Sequence, residues 1–160
     1  MSAAPPAPEI TPLNAPYWQA LDEGRLVFQR CRGCDHRWLP PRAECPACLS
    51  DAWDWQQASG RGLLVSWVVY RVAYHESLRD RLPYNVAIVE LEEGPRLITC
   101  IPDRPDGTGL AMDARVMLVV SAGLAGRKLA MFRLEGPSDP ADGQHHDQGA
   151  ARPRSPRGQR

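Results

Sequence analysis

Cys31-Arg-Gly-Cys34 and Cys45-Pro-Ala-Cys48, ten residues apart, decide how the front half of this chain folds. A CxxC turn presents two thiolates to one point. Two such turns facing each other supply four soft ligands in a tetrahedron, the geometry of a structural zinc site. Four unrelated buried thiols would seldom fall into two pairs this close together. The expectation is therefore one Zn²⁺ per chain, held by Cys31, Cys34, Cys45 and Cys48. Four cysteines leave no open coordination position, so the metal is structural, with no bound water to activate. His36 adjoins Cys34 but is not needed to close the shell, and reads as a surface residue.

Working outward, residues 25–58 form the zinc module. Arg25–Arg30 reads as a strand entering the first knuckle. Pro40-Pro41 turns the chain before the second. Trp53 and Trp55, two apart, face one side of a following strand. About thirty residues bury too little surface to fold alone. Metal binding, worth roughly 10–16 kcal/mol in small zinc peptides, makes up the difference. Upstream, Asn14–Gly24 reads as a short helix. Pro16 sits in its first turn, where a missing N–H costs nothing, and Gly24 suits the left-handed position past its end. Tyr17, Trp18 and Leu21 form an apolar patch on this helix. It either packs on the chain's own domain or docks on a partner subunit.

Downstream of Gly60 the pattern changes to five strand-like runs separated by Gly, Pro and Asp: 62–74, 84–92, 95–101, 114–121 and 127–134. Val, Ile, Leu and Tyr dominate them. Glu92-Glu93-Gly94-Pro95 reads as a hairpin turn. Five short strands over residues 59–136, the first long enough to bend, fit a small closed barrel of OB type. Residues 103–113 read as a loop. The fold class is mainly β: an N-terminal helix over 14–24, a zinc ribbon, then the barrel. Residues 1–13 and 137–160, rich in Pro, Ala, Gly and polar residues, read as disordered. His145-His146 and the four Arg of residues 152–160 fall in that tail and read as solvated.

Charge balances at 19 basic against 19 acidic residues, which argues against a strong nonspecific polyanion binder. No stretch is apolar and long enough for a transmembrane helix, and residues 1–16 lack the pattern of a signal peptide. Paired thiols without an export signal point to a reducing cytoplasm. Cys100 reads as a small core residue. Nucleophile-elbow, zinc-protease and phosphate-loop motifs are missing. The most loaded polar stretch carries Arg71, His75, Arg79, Arg81 and Tyr84. It is either a solvated loop with local ion pairs or a set of contacts for phosphates on a ligand such as acyl-CoA.

The run Tyr17–Leu26, the two knuckles, Pro40-Pro41-Arg42, Ser59-Gly-Arg-Gly62, Pro83–Leu97 and Pro102 come in one order. Together they resemble the zinc-ribbon/OB-fold family of acyl-CoA-associated proteins, over about residues 14–136. The resemblance implies a helix, a rubredoxin-like ribbon and an OB barrel. It also implies a non-catalytic accessory subunit of a larger thiolase-like or MaoC-type hydratase enzyme acting on acyl-CoA thioesters, in steroid side-chain or aromatic degradation or isoprenoid synthesis. The chain departs from that family at both knuckles. Gly often follows the second Cys of each pair, where the backbone needs positive φ. Here Asp35 and Leu49 stand there, and Leu tolerates that state poorly.

Two other readings compete. Zinc ribbons and OB barrels also occur in single-stranded nucleic-acid binders, with Trp67, Tyr70 and Tyr74 as stacking candidates. Period-two alternation puts Trp67 on the face opposite the two tyrosines, which weakens that reading. Iron in the four-Cys site would make an electron carrier.

Overall fold

The computed structural model describes residues 7–123 and 125–136 of the 160-residue chain. The tail expected over 137–160, with its histidine pair and arginines, lies outside the described residues.

Helix α1 spans Ala15–Asp22 with Asn14 as N-cap and Pro in the first turn. Asn14 does not cap with its side chain. Its Oδ1 accepts the Thr11 N–H at 2.9 Å and its Nδ2 donates to the Glu9 carbonyl at 3.0 Å. These bonds tie Glu9 and Thr11 to the start of the helix. At the other end Gly24 takes φ 78°. Its N–H donates to Leu21 at 3.0 Å and that of Arg25 to Ala20 at 2.8 Å, the paired closure that satisfies the last helical carbonyls.

Three short antiparallel strands build the ribbon: β1 (Val27–Cys31), β2 (Arg37–Trp38) and β3 (Trp53–Gln57), in the order β2-β1-β3. The two tryptophans of β3 meet edge to face, with centroids 5.7 Å apart. The inner end of the ribbon belongs to the barrel's core. Leu26 and Phe28 are buried in one cluster with Leu21 of the helix and Leu64, Val89 and Phe132 of the barrel. The outer end has its own small cluster of Cys31, Trp38 and Cys45, with Trp53 against it. Glu93 joins ribbon to barrel. Its carboxylate accepts the Ser59 N–H at 2.6 Å, and its carbonyl accepts from Arg37 at 3.3 Å.

The barrel strands are β4 (Arg61–Tyr70), β5 (Tyr84–Leu91), β6 (Arg96–Thr99), β7 (Arg115–Ala122) and β8 (Lys128–Leu134), ordered β6-β5-β4-β7-β8. This is the expected OB architecture. The long first strand pairs with both β5 and β7, and its register slips between Leu64 and Ser66. Such a bulge bends a strand and lets one strand serve two neighbours. Beside it, a Cβ at Gly62 would lie 2.5 Å from the Glu90 carbonyl oxygen, so only glycine lets β4 approach β5 that closely. The curl closes between β6 and β8. Phe132 N–H donates to the Cys100 carbonyl at 3.1 Å, and the Thr99 hydroxyl donates to that of Ala130 at 2.8 Å. The Gly94 turn joins β5 to β6, with the Gly94 N–H on Leu91 at 2.8 Å.

The first barrel strand ends at Tyr70, four residues before its expected end. Tyr70 is paired with Tyr84, where β5 begins. Beyond that pair no strand among the described residues lies opposite to supply hydrogen bonds. The chain instead forms a 3-10 helix over Glu76–Arg81, with His75 at its N-cap.

Candidate metal centre

Each knuckle is a backbone cage built around its first cysteine. Cys31 N–H donates to the His36 carbonyl at 2.8 Å, and Cys45 N–H donates to that of Ser50 at 2.9 Å. Both bonds span five residues. Closing so tight a loop needs one residue in the left-handed region, and Asp35 and Leu49 fill it, each at φ 62°. The glycine-like backbone demand at those two positions is met without glycine.

The four sulfurs all lie within 4.8 Å of one another. Cys31 Sγ is 3.5 Å from Cys48 Sγ, and Cys34 Sγ is 3.6 Å from Cys45 Sγ. A tetrahedron with Zn–S bonds of about 2.3 Å has sulfur–sulfur edges of about 3.8 Å, so the thiols already stand near ligand spacing. Cys31 and Cys45 are buried, while Cys34 and Cys48 are exposed. The backbone N–H of Cys34 pulls the Cys31 thiol down to about 6 against the effect of burial, helped by that of Gly33. A metal ligand must be a thiolate, and the cage favours that form at Cys31. At Cys34 the pull of the His36 N–H is outweighed by the Cys48 thiol and burial, which push the thiol up to about 12. Cys48 is raised as well. The four cysteines can hold one zinc ion. His36 is exposed and stacks on Trp38, with ring centroids 6.0 Å apart, as expected of a residue outside the shell.

One residue behind the site escaped the sequence reading. Gln29 is fully buried on β1. Its Nε2 donates to the Arg42 carbonyl at 2.9 Å and its Oε1 accepts the Arg42 N–H at 2.7 Å. A side-chain amide thus does the work of a strand partner and ties down the link between the knuckles. The only sequence signal was a glutamine at an otherwise apolar strand position.

The charged loop does not converge. His75 spends its ring nitrogen on its own turn, with Nδ1 2.7 Å from the Ser77 hydroxyl and 3.2 Å from the Ser77 N–H. Arg71 is exposed near Asp106, whose carboxyl is held below its usual range first by the N–H and hydroxyl of Thr108 and last by Arg71. Arg79 is exposed. Only Arg81 and Tyr84 of the five line a common cavity, of about 570 Å³.

The helix patch divides. Leu21 has no exposed surface and packs in the chain's own core. It cannot be a partner contact, because the helix lies on the barrel by that face. Tyr17 and Trp18 are half-buried and line a groove of about 640 Å³ with Leu39, Ile88 and Ile98. Burial pushes the Tyr17 hydroxyl up to about 12. The aromatic platform expected of a nucleic-acid binder is largely occupied. Tyr70 stacks on Tyr84 at 5.0 Å, and Trp67 packs against the core.

Two family models match the chain in tandem: the rubredoxin-like zinc ribbon domain of ChsH2 over residues 18–54, and its C-terminal OB-fold domain over 55–121. A DUF35 domain-containing scaffold protein of Methanocaldococcus jannaschii is 31% identical over 103 residues, covering 62% of this chain and 72% of that protein.

This chain is a member of the DUF35 family of ChsH2-like proteins.

Among solved structures, a chain of the Ltp2–ChsH2(DUF35) aldolase superposes with a TM-score of 0.67 at 34% identity, covering 80% of this chain and 98% of that one. A probable enoyl-CoA hydratase alpha subunit of Thermomonospora curvata is 42% identical over 94 residues. That match spans 59% of this chain but only 29% of the hydratase subunit. In DUF35 terms the residues brought together here are the ribbon's four thiols. The polar loop of 71–81 supplies one charged side chain, Arg81, and the apolar Leu78 to a cavity at the barrel's end.

Proposed function

We propose that this chain is a non-catalytic accessory subunit that docks on and supports a larger thiolase-like or hydratase enzyme acting on acyl-CoA thioesters. The observation that carries the reading is its likeness, over 80% of its own length and 98% of the other's, to a chain of the Ltp2–ChsH2(DUF35) aldolase. The scaffold name of its archaeal relative and the hydratase subunit name of its bacterial one agree with it. The four-cysteine shell leaves no open metal position for chemistry. The four free thiols of that shell suit a reducing cytoplasm.

Tyr17 and Trp18 are the contacts on the helix that remain open to a partner. Beside them Ile98 is 77% exposed and sits directly opposite Ile88, itself 36% exposed, across β5 and β6. Apolar surface of that kind on a small barrel is surface a larger subunit would cover.

The test is co-expression with acyl-CoA enzymes encoded beside this chain. The expected result is a complex of fixed stoichiometry on gel filtration, weakened by Ile98→Asp in a chain that keeps its zinc. A chain that stays monomeric beside every such enzyme, with their activity unchanged by its presence, would overturn the reading.

A further inference from the structure

The cavity of about 570 Å³ belongs wholly to this chain. It lies where the segment between β4 and β5 meets the turn between β7 and β8, the two loops with which OB barrels usually take ligands. Its size falls within the range of small-molecule sites, roughly 300–1,000 Å³. Leu78 of the 3-10 helix, Val119 of β7 and Leu129 and Met131 of β8 give it an apolar wall, with Pro83, Pro102 and Pro105 at its edges. Val119 and Met131 are cross-strand partners, so that wall is continuous.

Charge at the cavity is one-sided. Arg81 and Arg127 both line it, and no Asp or Glu does among the described residues. Neither guanidinium has a carboxylate within ion-pair distance among those residues. Arg127 is held instead over the Trp18 ring, 5.6 Å from its centroid. Arginine is the side chain best matched to carboxylate and phosphate. Asn85, 3% exposed, braces the floor. Its Nδ2 donates to the carbonyls of Ile101 and Arg104, both at 2.8 Å, and its Oδ1 accepts the Ile101 N–H at 2.8 Å. A wall fixed in this way is formed before any ligand arrives.

We infer that this cavity is a binding site for an elongated apolar molecule ending in a carboxylate or a phosphate, its chain against Val119, Leu129 and Met131 and its anionic end on Arg81 and Arg127. The site needs no partner subunit, so it stands or falls separately from the accessory role.

Cys100 lines the same cavity and provides a reporter. Zinc-loaded full-length chain is titrated with decanoate, decyl phosphate and neutral decanol by calorimetry, and Cys100 alkylation by N-ethylmaleimide is followed by peptide mass spectrometry. Decanoate and decyl phosphate distinguish the two anionic ends. At least one should bind about tenfold or more tighter than decanol and slow Cys100 alkylation at least severalfold. Arg81→Ala should lose most of the anion preference. Ala122→Trp, which fills the cavity from β7, should abolish binding while zinc content and thermal melting stay as in the parent. Equal binding of decanol and both anions, an unchanged Cys100 rate, or full binding in a folded Ala122→Trp variant would overturn the inference. So would a short oligothymidylate that displaces the bound anion and binds tighter than it does.

Discussion

Leu49 holds at the second knuckle the backbone state that Asp35 holds at the first: φ is 62° at both. The two positions differ in what the side chain does there. Asp35 pairs with Arg30 and lies 3.6 Å from Arg37. Leu49 is 73% exposed and has no compensating burial.

The left-handed state costs a non-glycine residue about 1–2 kcal/mol, while glycine's extra chain entropy costs about 0.5–1 kcal/mol. Leu49→Gly should therefore stabilise the zinc-bound protein by about 0.5–1 kcal/mol. Asp35→Gly should gain little or nothing, because it gives up the arginine contacts. Chemical denaturation of both variants at fixed zinc checks the contrast. Equal gains would show that the arginine contacts carry no weight.

Zinc removal should divide the molecule. The outer ribbon has only Trp38 and Trp53 besides cysteine in its own cluster, whereas Leu26 and Phe28 are anchored in the barrel. Chelation should abolish amide protection over residues 31–52 and leave β4, β5 and β8 protected. Hydrogen exchange before and after chelation reads this directly. Loss of protection throughout the chain would mean that ribbon and barrel fold as one unit.

Zinc retention should weaken with acid. The native knuckle lowers the Cys31 thiol to about 6, from an ordinary value of 9.0. A group lowered in this way favours the native site above its unfolded value and loses that preference as pH falls through the folded one. Cys34 and Cys48 are raised in the same cluster, and protons compete with the metal for all four sulfurs. Release of zinc to a colorimetric chelator should therefore rise as pH falls, without a midpoint set by Cys31 alone. Retention unchanged well below about pH 6 would contradict the thiolate assignment.

Alkali should act through Tyr17, whose hydroxyl burial raises to about 12 from 10.0. A raised value means that the unfolded chain ionises first, so stability present below pH 10 is lost as pH climbs towards 12. Tyr17→Phe should remove that part of the loss, as followed by melts from pH 9 to 12. An identical alkaline profile in the variant would place Tyr17 in contact with water.

The two buried amides should be costly to replace. Gln29→Leu leaves the Arg42 N–H and carbonyl without their partners, and Asn85→Leu does the same to Ile101 and Arg104. Each unsatisfied buried group costs about 1–3 kcal/mol, so Asn85→Leu should lose roughly 2–4 kcal/mol in urea denaturation, and Gln29→Leu, whose partner Arg42 is exposed, about 1–2 kcal/mol. Asn85→Leu should also weaken anion binding at the cavity, and Gln29→Leu should not. A loss under about 1 kcal/mol in either would mean that water replaces the amide.

The amino-acid sequence alone determined the metal ribbon, the helix with its Gly24 end, and five barrel strands in order. These rest on spacing along the chain: two CxxC turns, a glycine past a helix, and alternating apolar residues between turn formers. The demand for positive φ at residues 35 and 49 followed from the family resemblance, in which Gly often stands at those positions. Tertiary structure alone decided that Leu21 is core rather than contact, that Gln29 and Asn85 act as backbone partners, and that Arg81 shares a cavity with Arg127 while Arg71, His75 and Arg79 do not. Those relationships join residues up to tens of positions apart, and burial and hydrogen bonding between them exist only once the curled sheet has closed between Cys100 and Phe132.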